Sequence, residues 1–404
     1  MTMDFVPTRA AALDRLAAFV PRAGRLYADG RNVDNGPDAP QAVSMLSPYV
    51  RYRLLSEAEI VHAVLAKHSH QACEKFVQEV LWRTYWKGWL ELRPTVWSRF
   101  IAERDGVSKG AGLAKAIAQA ECGATGIDGF DDWARELVEQ GYLHNHARMW
   151  FASIWIFTLG LPWAAGADFF LRHLVDADPA SNTLSWRWVA GLQTAGKTYL
   201  ATADNIARNT GGRFSPKGLA TQAVALTETP VSGARPLPSL PHYDASVPAL
   251  LLLTAEDLTP EQVLPRTAAI RAIIAVDSAP GWPWGDAAAA FVGGALDDAA
   301  ARAAAHFGCA ATRFATLDPA TIIAVAQSAG AAAVITPYAP VGPVADALAA
   351  IAVPLAGAGL RLITLRRDWD ERFWPHATRG FFPFKERIPA LLNELNYSGS
   401  YELW

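Results

Sequence analysis

Hydrophobic and polar positions follow different patterns in the two halves of the chain. Up to about Phe214 the apolar residues recur at helical spacing and few segments alternate as strands do, so this part is predicted to be helical. From residue 249 onward, short apolar runs alternate with Ala-rich stretches, which is typical of a parallel sheet with crossover helices. The predicted strands are residues 249–253, 270–276, 332–336 and 360–365.

A proline-rich stretch, residues 227–248, separates these halves and has the composition of an exposed linker. We therefore predict an all-α domain over residues 1–225, a linker over 226–248, and an α/β domain with a doubly wound parallel sheet over 249–370. Residues 371–404 are predicted to form a C-terminal extension. The length of 404 residues exceeds that of a usual single core, which agrees with two domains.

Composition narrows the class of protein. Apolar residues make up 51% of the chain and charged residues 19%, which is enough to bury large cores and excludes a disordered protein. The three cysteines are far apart and odd in number, so we predict no disulfide framework and no metal site, and we expect a reducing compartment. With no signal peptide expected at the start, the sequence predicts a cytoplasmic monomer.

Two local patterns exclude other interpretations. The uncharged residues 149–167 are long enough to cross a bilayer, but Gly160 and Pro162 interrupt them, so two short buried helices joined at this turn are predicted. The first predicted strand continues into residues 254–257 without a glycine. The glycine-rich turn of dinucleotide-binding folds is missing there, and the second domain is not expected to bind NAD.

Four blocks in the helical half carry the candidate chemistry. The most informative is DADPASN, residues 176–182, followed by Trp186 and Trp188. Two Asp residues two apart cannot share one helix face, but an Asp, Asn and Trp set can converge on one flat, hydrogen-bonding ring such as a flavin. The other blocks are LHNHARMWFAS (143–153), FVQEVLWRTYW (76–86), and YADGR with VSMLSPYVR (27–31 and 43–51). In this order the blocks resemble the FAD-binding domain of the photolyase/cryptochrome family.

The resemblance extends to the second half in an unusual order. Family members place an α/β antenna domain before the FAD domain, whereas here the α/β part follows. Residues 330–365 are similar to the second half of that antenna domain, and residues 377–391, with their FFPF stretch, to the segment that leads out of it. The resemblance implies a circularly permuted chain, an arrangement that surface termini permit. Whether the α/β domain holds an antenna pigment of the folate or deazaflavin type stays open.

The resemblance also implies contacts to the cofactor. Tyr27, Ser44, Leu46 and Ser47 match the residues that hold the FAD diphosphate, a role that suits hydroxyl groups and close approach of the backbone. Alone, the Ser-x-Leu-Ser run is interpreted equally well as a turn and a helix cap. Its position upstream of the other blocks favours the phosphate role.

In the second block, Glu79, Trp82 and Arg83 lie at helical spacing and are predicted to project from one helix face. A Glu and an Arg four apart often form only an ordinary helix pair. The resemblance implies that Arg83 binds a flavin phosphate with its planar guanidinium. It assigns Glu79 and Trp82 to the DNA lesion, by hydrogen bonding and by stacking.

In the third block, the resemblance places Arg148 against the flavin and an Asp partner, and Asn145 and Met149 in the substrate pocket. It assigns His146 to the DNA-binding surface. His144 and His146 are two apart on a helix with no third ligand evident, so no metal is predicted. The branch of the family that repairs (6-4) photoproducts generally has a second His where this chain has Asn145. This difference favours cyclobutane pyrimidine dimers as the substrate.

In the fourth block, Asp176 and Asp178 match the pair near the flavin ribose and ring edge, and Asn182 matches the residue beside ring atom N5. A neutral amide there can hydrogen-bond the flavin without delivering a proton, and photolyases mostly keep Asn. Trp186 matches the tryptophan nearest the flavin in the photoreduction chain, and Trp163 the next. The third member of that chain does not align, and three residues are candidates for its place: Trp133, Trp150 and Trp155.

Charge gives less support to a DNA partner. Residues 1–215 carry 23 Lys and Arg against 22 Asp and Glu, and the whole chain has a net charge of −3, whereas affinity for duplex DNA comes mainly from phosphate neutralisation. A nearly neutral domain can still carry a basic face, and the resemblance places five basic residues around the pocket mouth: Arg31, Arg187, Lys197, Arg208 and Arg213.

We interpret the sequence as that of a light-driven photolyase that splits cyclobutane pyrimidine dimers in UV-damaged DNA, single-stranded or distorted, with an electron from reduced FAD. Three alternatives stay open: a cryptochrome-like flavin photoreceptor without repair, repair of (6-4) photoproducts, and a helical scaffold that no longer holds flavin. Asn182 and the Glu79, Trp82 and Met149 set favour repair. The nearly neutral charge favours signalling.

Overall fold

The computed structural model describes residues 5–107, 110–277 and 282–397. The first part of the chain is helical, and side chains that accept hydrogen bonds from the backbone fix several helix starts. Ser56 and Glu59 form a reciprocal capping box, and Asp178 caps a helix whose first residue is Pro179. The helices are α1 (Arg9–Phe19), α2 (Arg25–Gly30), α3 (Ser47–Arg51), α4 (Glu57–Lys67), α5 (His70–Glu91), α6 (Thr95–Asp105), α7 (Ala111–Glu121), α8 (Phe130–Gln140), α9 (Asn145–Ser153), α10 (Trp163–His173), α11 (Pro179–Val189) and α12 (Ala203–Asn209).

The second part of the chain is a parallel sheet with crossover helices. The strands lie in the order β3-β2-β1-β4-β5, and every described strand pair is parallel. The chain runs through β1 (Ala249–Leu253), β2 (Ile270–Val276), α13 (Asp286–Phe307), β3 (Ala311–Phe314), α14 (Pro319–Ser328), β4 (Ala333–Pro337), α15 (Pro343–Gly357), β5 (Arg361–Leu365), α16 (Asp368–Phe373), α17 (Phe381–Lys385) and α18 (Ile388–Tyr397). The predicted order, with the helical part first, is confirmed and is consistent with a permuted chain.

Four predicted strands are confirmed to within one residue at each end. β1 and β4 are buried along their whole length, which explains why they read as unbroken apolar runs. The sequence analysis missed β3, whose residues ATRF lie at the edge of the sheet and are not buried. An edge strand needs no continuous apolar run, so the pattern gave no signal there.

Two other segments follow the sequence pattern. Residues 149–167 form the end of α9, a single π-helical turn (Ile154–Thr158) and the start of α10, as the interruption at Gly160 and Pro162 predicted. Within the described residues, no helix is long and apolar enough to cross a bilayer. Residues 227–248, all of them described, contain no helix or strand. The exact domain boundaries stay a prediction.

Buried ion pairs join the helical part to the carboxyl end of β1. Arg51 Nη1 and Nη2 donate to the two carboxylate oxygens of Glu256 at 2.7 and 2.8 Å, and Leu258 N donates to Tyr52 O at 2.9 Å. Asp257, the next residue, pairs with Arg53 of the helical part at 3.5 Å and with Arg367 of the α/β part at 2.5 Å. Residues 254–257, which lack the glycines of a dinucleotide-binding turn, therefore serve as a docking surface for the helical part.

Candidate functional site

Helix α11 packs against both α5 and α9 and so brings three of the four sequence blocks together. The start of α11 fixes the fourth block, because Asp178 Oδ1 accepts hydrogen bonds from Ala180 N at 2.9 Å and Ser181 N at 3.3 Å. Asp178 is thereby held at the helix N-terminus, where a negative charge is stabilised. Its second carboxylate oxygen stays available to a residue on a neighbouring helix.

Two Arg–Asp pairs lie side by side at this junction. Arg83 Nη1 on α5 donates to Asp178 Oδ2 at 3.1 Å, and Arg148 Nη2 on α9 donates to Asp176 Oδ2 at 2.9 Å. Each Asp side chain is 2% exposed, while the Arg side chains are 14% and 24% exposed. The carboxylates are thus buried, and the guanidinium groups reach toward a more open space with donors to spare. The predicted Arg148 partner is Asp176.

The two carboxylates remain ionised although they are buried. Burial is the largest single effect and raises the pKa of Asp176, but Arg148, Arg83 and Ser47 together outweigh it and hold that pKa below its usual range. Burial likewise opposes ionisation of Asp178, whose pKa Lys87, Arg83 and Arg51 nevertheless lower. Within the described residues, Asp176 Oδ1 has no hydrogen-bond partner. A buried, charged oxygen without a donor indicates a ligand or solvent group at this point.

Asn182 lies one turn into α11 and is 8% exposed. Its side-chain nitrogen Nδ2 donates to Ala167 O at 2.8 Å, which fixes the orientation of the amide. The amide oxygen, an acceptor, is therefore the atom that can face a bound ring.

The loop before α3 combines unusual backbone geometry with an adjacent cavity. Met45 adopts a left-handed conformation with φ of 53°, which costs free energy in a residue other than glycine and is typical of ligand-binding loops. Leu46 N donates to Ser44 Oγ at 3.3 Å, and Ser47 begins α3. A cavity of about 520 Å³ opens beside this loop, lined by Ser44 and Met45. Its size is that of a small-molecule site.

Arg15 and Arg22 also line this cavity. Sequence analysis missed both, because they lie in α1 and the turn after it, outside the four blocks. The only available signal was their separation of seven residues, which is two helical turns and is common on any amphipathic helix.

Tyr27 lies deeper than the phosphate role requires. It is 6% exposed, and its ring contacts Phe19 and Phe76 with centroids 5.9 and 5.1 Å away. Burial raises its pKa, with a smaller contribution from Glu79. The ring is thus a core residue of this region, and only its hydroxyl is left for a hydrogen bond.

The predicted lesion-binding residues of α5 contact different neighbours. Glu79 Oε1 accepts a hydrogen bond from Arg31 Nη1 at 2.7 Å. Burial raises the pKa of Glu79, although Arg31 acts to lower it. The ring of Phe381 of α17 stacks on that of Trp82, with centroids 3.6 Å apart.

The start of α9 exposes the predicted substrate-facing residues. Asn145 is exposed, and His146 and Met149 are half-buried. His144 is the N-cap of α9, and its Nδ1 accepts a hydrogen bond from His146 N at 3.2 Å. Burial lowers the pKa of His144 to about 4, so it is neutral at pH 7. Its role in the structure is that of a helix cap.

Several tryptophan side chains lie in the helical part near this junction. The Trp186 ring is 2% exposed, and its centroid lies 6.3 Å from that of Trp155. The Trp186 ring also packs against Gly166, where an added Cβ atom would lie 2.3 Å from Trp186 Cη2. Trp163 lies one turn before Gly166 on α10. Trp133 and Trp150 form a separate stack with centroids 5.4 Å apart.

One residue of the predicted basic face is placed elsewhere. Arg187 is 1% exposed and forms an ion pair with Glu228 from the proline-rich stretch. The prediction that Arg187 contributes to a DNA-facing surface is wrong, because its charge is buried and neutralised inside the protein. Arg31 and Arg213 stay partly exposed, with 28% and 32% of their side chains accessible.

A model of the FAD-binding domain of DNA photolyase matches residues 76–218, which include most of α5 and all of α9 and α11, with both Arg–Asp pairs. The helical half of this chain thus carries the FAD-binding domain of the photolyase/cryptochrome family. The resemblance inferred from the four blocks is thus confirmed.

Several curated relatives of this family member are named deoxyribodipyrimidine photo-lyase. That of Streptomyces griseus is 38% identical over 157 residues, which are 39% of this chain and 34% of the relative. That of Agrobacterium fabrum is 32% identical over 190 residues, or 46% of this chain and 39% of the relative. A class III photolyase structure from Agrobacterium tumefaciens matches with 29% identity and a TM-score of 0.44, over 50% of this chain and 43% of that one. The chain spans about a third to two fifths of the length of these two curated relatives.

The residues present fit the FAD that this family binds. Asp176 Oδ1 offers a buried acceptor to a ribose or ring-edge donor, and the oxygen of Asn182 offers one to a ring N–H. The left-handed loop at Met45 and the adjacent cavity offer backbone and hydroxyl donors of the kind that bind phosphate. Arg83 and Arg148 supply guanidinium donors beside the same junction.

Proposed function

We propose that this protein binds FAD at the junction of α5, α9 and α11 and repairs cyclobutane pyrimidine dimers in DNA under light. When bound in its reduced form, the cofactor supplies the electron that splits the dimer. The observation that carries this proposal is the side-by-side arrangement of the Arg83–Asp178 and Arg148–Asp176 pairs with an unpartnered oxygen on Asp176.

The chain's own residues supply binding and orientation. Arg83 and Arg148 place positive charge where the cofactor's phosphates and ring require it, while the buried carboxylates hold each guanidinium in position. Asn182 holds its amide through Ala167 O, so that its oxygen can accept a ring hydrogen without a change of charge. A neutral partner keeps the reduced ring from losing a proton to the protein.

Substrate binding is assigned to the exposed start of α9 and the middle of α5. A dimer is poorly paired, and flipping it out of the stack costs less than flipping an intact base. Trp82 offers an aromatic face for stacking, and the carboxylate of Glu79 offers an acceptor for a base N–H group. Asn145 and Met149 complete the opposite wall in this proposal.

The test is illumination of chemically reduced protein with an oligonucleotide that carries one defined thymine dimer, followed by chromatography for restored thymines. We expect repair in light and none in darkness. A (6-4) lesion serves as the matched substrate control and is expected to persist. Persistence of both lesions, in single and double strands, would reject repair.

A flavin photoreceptor without repair is the second candidate. The burial of Arg187 in its pair with Glu228 favours it, because this removes a basic side chain from the surface expected to meet phosphates. A photoreceptor would bind FAD and change its spectrum in light, while both lesions persist.

A further inference from the structure

Helix α5 carries a second basic residue one turn beyond Arg83. This residue, Lys87, lies four positions further along the chain, so the two side chains project from the same face of the helix. Lys87 is 2% exposed, and within the described residues its ammonium nitrogen Nζ has no hydrogen-bond partner. A lysine is almost never fully buried unless its charge is compensated. The surroundings of Lys87 must therefore supply that compensation.

Charged side chains from several elements face Lys87. They are Arg83 on its own helix, Arg53 in the loop before α4, Glu57 on α4, Asp178 on α11, Glu256 after β1 and Asp370 on α16. Burial lowers the pKa of Lys87, and among the carboxylates Asp178 opposes this most strongly. The charge of Lys87 is thus compensated by a group of carboxylates, of which Asp178 belongs to the proposed cofactor site.

Each of these carboxylates also pairs with an arginine, but the arginines are fewer. Asp178 pairs with Arg83 at 3.1 Å and Glu256 with Arg51 at 2.7 Å. Glu57 and Asp370 share one partner, Arg53, at 3.4 and 2.7 Å. These four carboxylates therefore have three arginines in the described part of the chain, and the ammonium group of Lys87 supplies the fourth positive charge.

Asp178 is the group through which Lys87 can act on the cofactor site. Its Oδ1 accepts hydrogen bonds from the backbone at the start of α11, and its Oδ2 accepts one N–H of Arg83 at 3.1 Å. Burial raises the pKa of Asp178, but Lys87 acts to lower it, ahead of Arg83 and Arg51. The carboxylate is therefore balanced from the interior by Lys87 more than it is by Arg83.

We propose that Lys87 is a positioning residue of the cofactor site: it neutralises Asp178 from inside the protein and so leaves the charge and the spare donors of Arg83 to a phosphate of FAD. This inference rests on the proposed function, since it requires that Arg83 meets the cofactor. Without the ammonium group, Asp178 is a buried carboxylate that draws on Arg83 alone. The guanidinium group then presents less positive charge to the cofactor.

A consequence of this role is that FAD binding depends on the protonation of Lys87. Only the charged ammonium group balances Asp178, so FAD binds more tightly to the protein that carries this proton. The pKa of Lys87 is lowered by burial, and the proton is therefore lost at a less alkaline pH than from an ordinary lysine. As the pH rises through that value, the affinity for FAD should fall. An arginine in the same place stays charged over this range.

The experiment titrates the full, flavin-free chain with FAD in the dark and follows flavin fluorescence. Lys87→Met removes the charge with little change in side-chain length, and we expect it to raise the Kd for FAD by about 10-fold. Lys87→Arg, which restores a positive charge, should recover most of this loss. Lys115→Met is the matched control, because Lys115 is exposed on α7. A Kd of Lys87→Met equal to that of Lys115→Met would overturn the proposal.

A double-mutant cycle tests whether Lys87 acts through Arg83. In an Arg83→Gln background, Lys87→Met should change the Kd by less than about 2-fold, because the side chain on which Lys87 acts is already gone. A further loss of about 10-fold in that background would show that Lys87 supports the site in some other way, and it would overturn the positioning role.

The pH profile of FAD binding decides the matter if Lys87→Met fails to fold. Between about pH 7 and about pH 10, the Kd of the wild type should rise by about 10-fold, whereas that of Lys87→Arg should not rise. Because both proteins bind the same ligand, the difference between the two curves excludes the titration of FAD itself. Parallel curves would overturn the proposal. A wild-type curve that stays flat over this range would do so without any variant.

Repair of a dimer is assayed separately, since none of these titrations needs light or DNA. FAD binding that depends on Lys87, in a protein that repairs nothing, supports the role of Lys87 and rejects repair alone. Repair by a protein whose FAD binding is independent of Lys87 rejects the role of Lys87 alone. Wild-type protein that binds no FAD, recognised by its absorption spectrum, rejects both.

Discussion

Phe381 stacks on Trp82 with ring centroids 3.6 Å apart and an interplanar angle of 12°. Phe381 is itself 5% exposed, and its ring also contacts Tyr85 and Phe384 at 5.5 and 6.0 Å. The C-terminal segment therefore fixes the orientation of the tryptophan that we assign to the lesion. It covers one face of that ring, so in our proposal a base stacks on the other.

We predict that Phe381→Ala destabilises the protein by about 3 to 5 kcal/mol, the usual cost of removing a buried aromatic ring. The same change should weaken binding of a dimer-containing oligonucleotide, since Trp82 is no longer held in one orientation. Denaturant unfolding measures the first effect and fluorescence anisotropy the second. Phe382→Ala is the matched control, because the adjacent Phe382 is 77% exposed.

Tighter binding of the dimer by Phe381→Ala would contradict this interpretation. It would show that the Phe381 ring occupies the place of the base and competes with the substrate.

The free energy of unfolding at acid pH should depend on the ionisation of the two buried Asp residues. The pKa of Asp176 and of Asp178 is lowered in the folded protein, so each contributes stability that is fully present above the unfolded pKa of about 3.9. This contribution is lost as the pH falls through the lowered folded values. We therefore predict that the free energy of unfolding declines progressively below about pH 4.

Asp176→Asn isolates one of the two contributions. The amide cannot ionise, so the free energy of unfolding of this variant should fall less steeply with acid than that of the wild type. Urea unfolding at a series of pH values tests this. Equal slopes for the two proteins would show that the pKa of Asp176 is not lowered by folding.

The strands that were predicted are marked by local sequence patterns, and for that reason they could be predicted from the sequence alone. Continuous apolar runs mark β1 and β4 because these strands are buried on both faces. Pairings between distant segments leave no such pattern. Trp97 meets Asp346, and Arg187 meets Glu228, only because helices and the proline-rich stretch pack in a particular way. Sequence analysis therefore missed the first pair and misplaced Arg187 on the surface.

In the candidate site, too, the residues could be predicted from the sequence but the contacts between them could not. The family resemblance selected Arg83, Arg148, Asp176 and Asp178, but the spacing between blocks could not show which Arg pairs with which Asp. The structure assigns Arg83 to Asp178 and Arg148 to Asp176. The left-handed backbone at Met45 was likewise invisible, since Met carries no preference for that conformation.

The ion pair between Arg51 and Glu256 should dominate the coupling of the two parts of the chain. Their side chains are 2% and 3% exposed, and Arg51 Nε also donates to Ala177 O at 2.6 Å. Removing one partner of a buried pair leaves an uncompensated charge, so Glu256→Gln should cost about 3 to 5 kcal/mol of stability. Differential scanning calorimetry should show the loss. Glu386→Gln, at an exposed position, is the control and should melt as the wild type does.

Arg83 provides the sharpest test of the cofactor site. One of its N–H groups is used by Asp178, and its side chain is 14% exposed, so the remaining donors are free to meet a phosphate. Arg83→Lys keeps the positive charge but loses the planar, two-pronged donor set. A lost hydrogen bond to a charged group is worth about 1.5 to 3 kcal/mol, so the Kd for FAD should rise by about 10- to 150-fold. Titration of the flavin-free protein with FAD, followed by flavin fluorescence, measures this.

Arg135→Lys is the control, because Arg135 is 47% exposed and pairs with Asp132 on the surface of α8. If Arg83→Lys binds FAD as tightly as Arg135→Lys does, Arg83 serves only to hold Asp178, and the phosphate must be bound by other residues, for which Arg15 and Arg22 beside the cavity are the next to test.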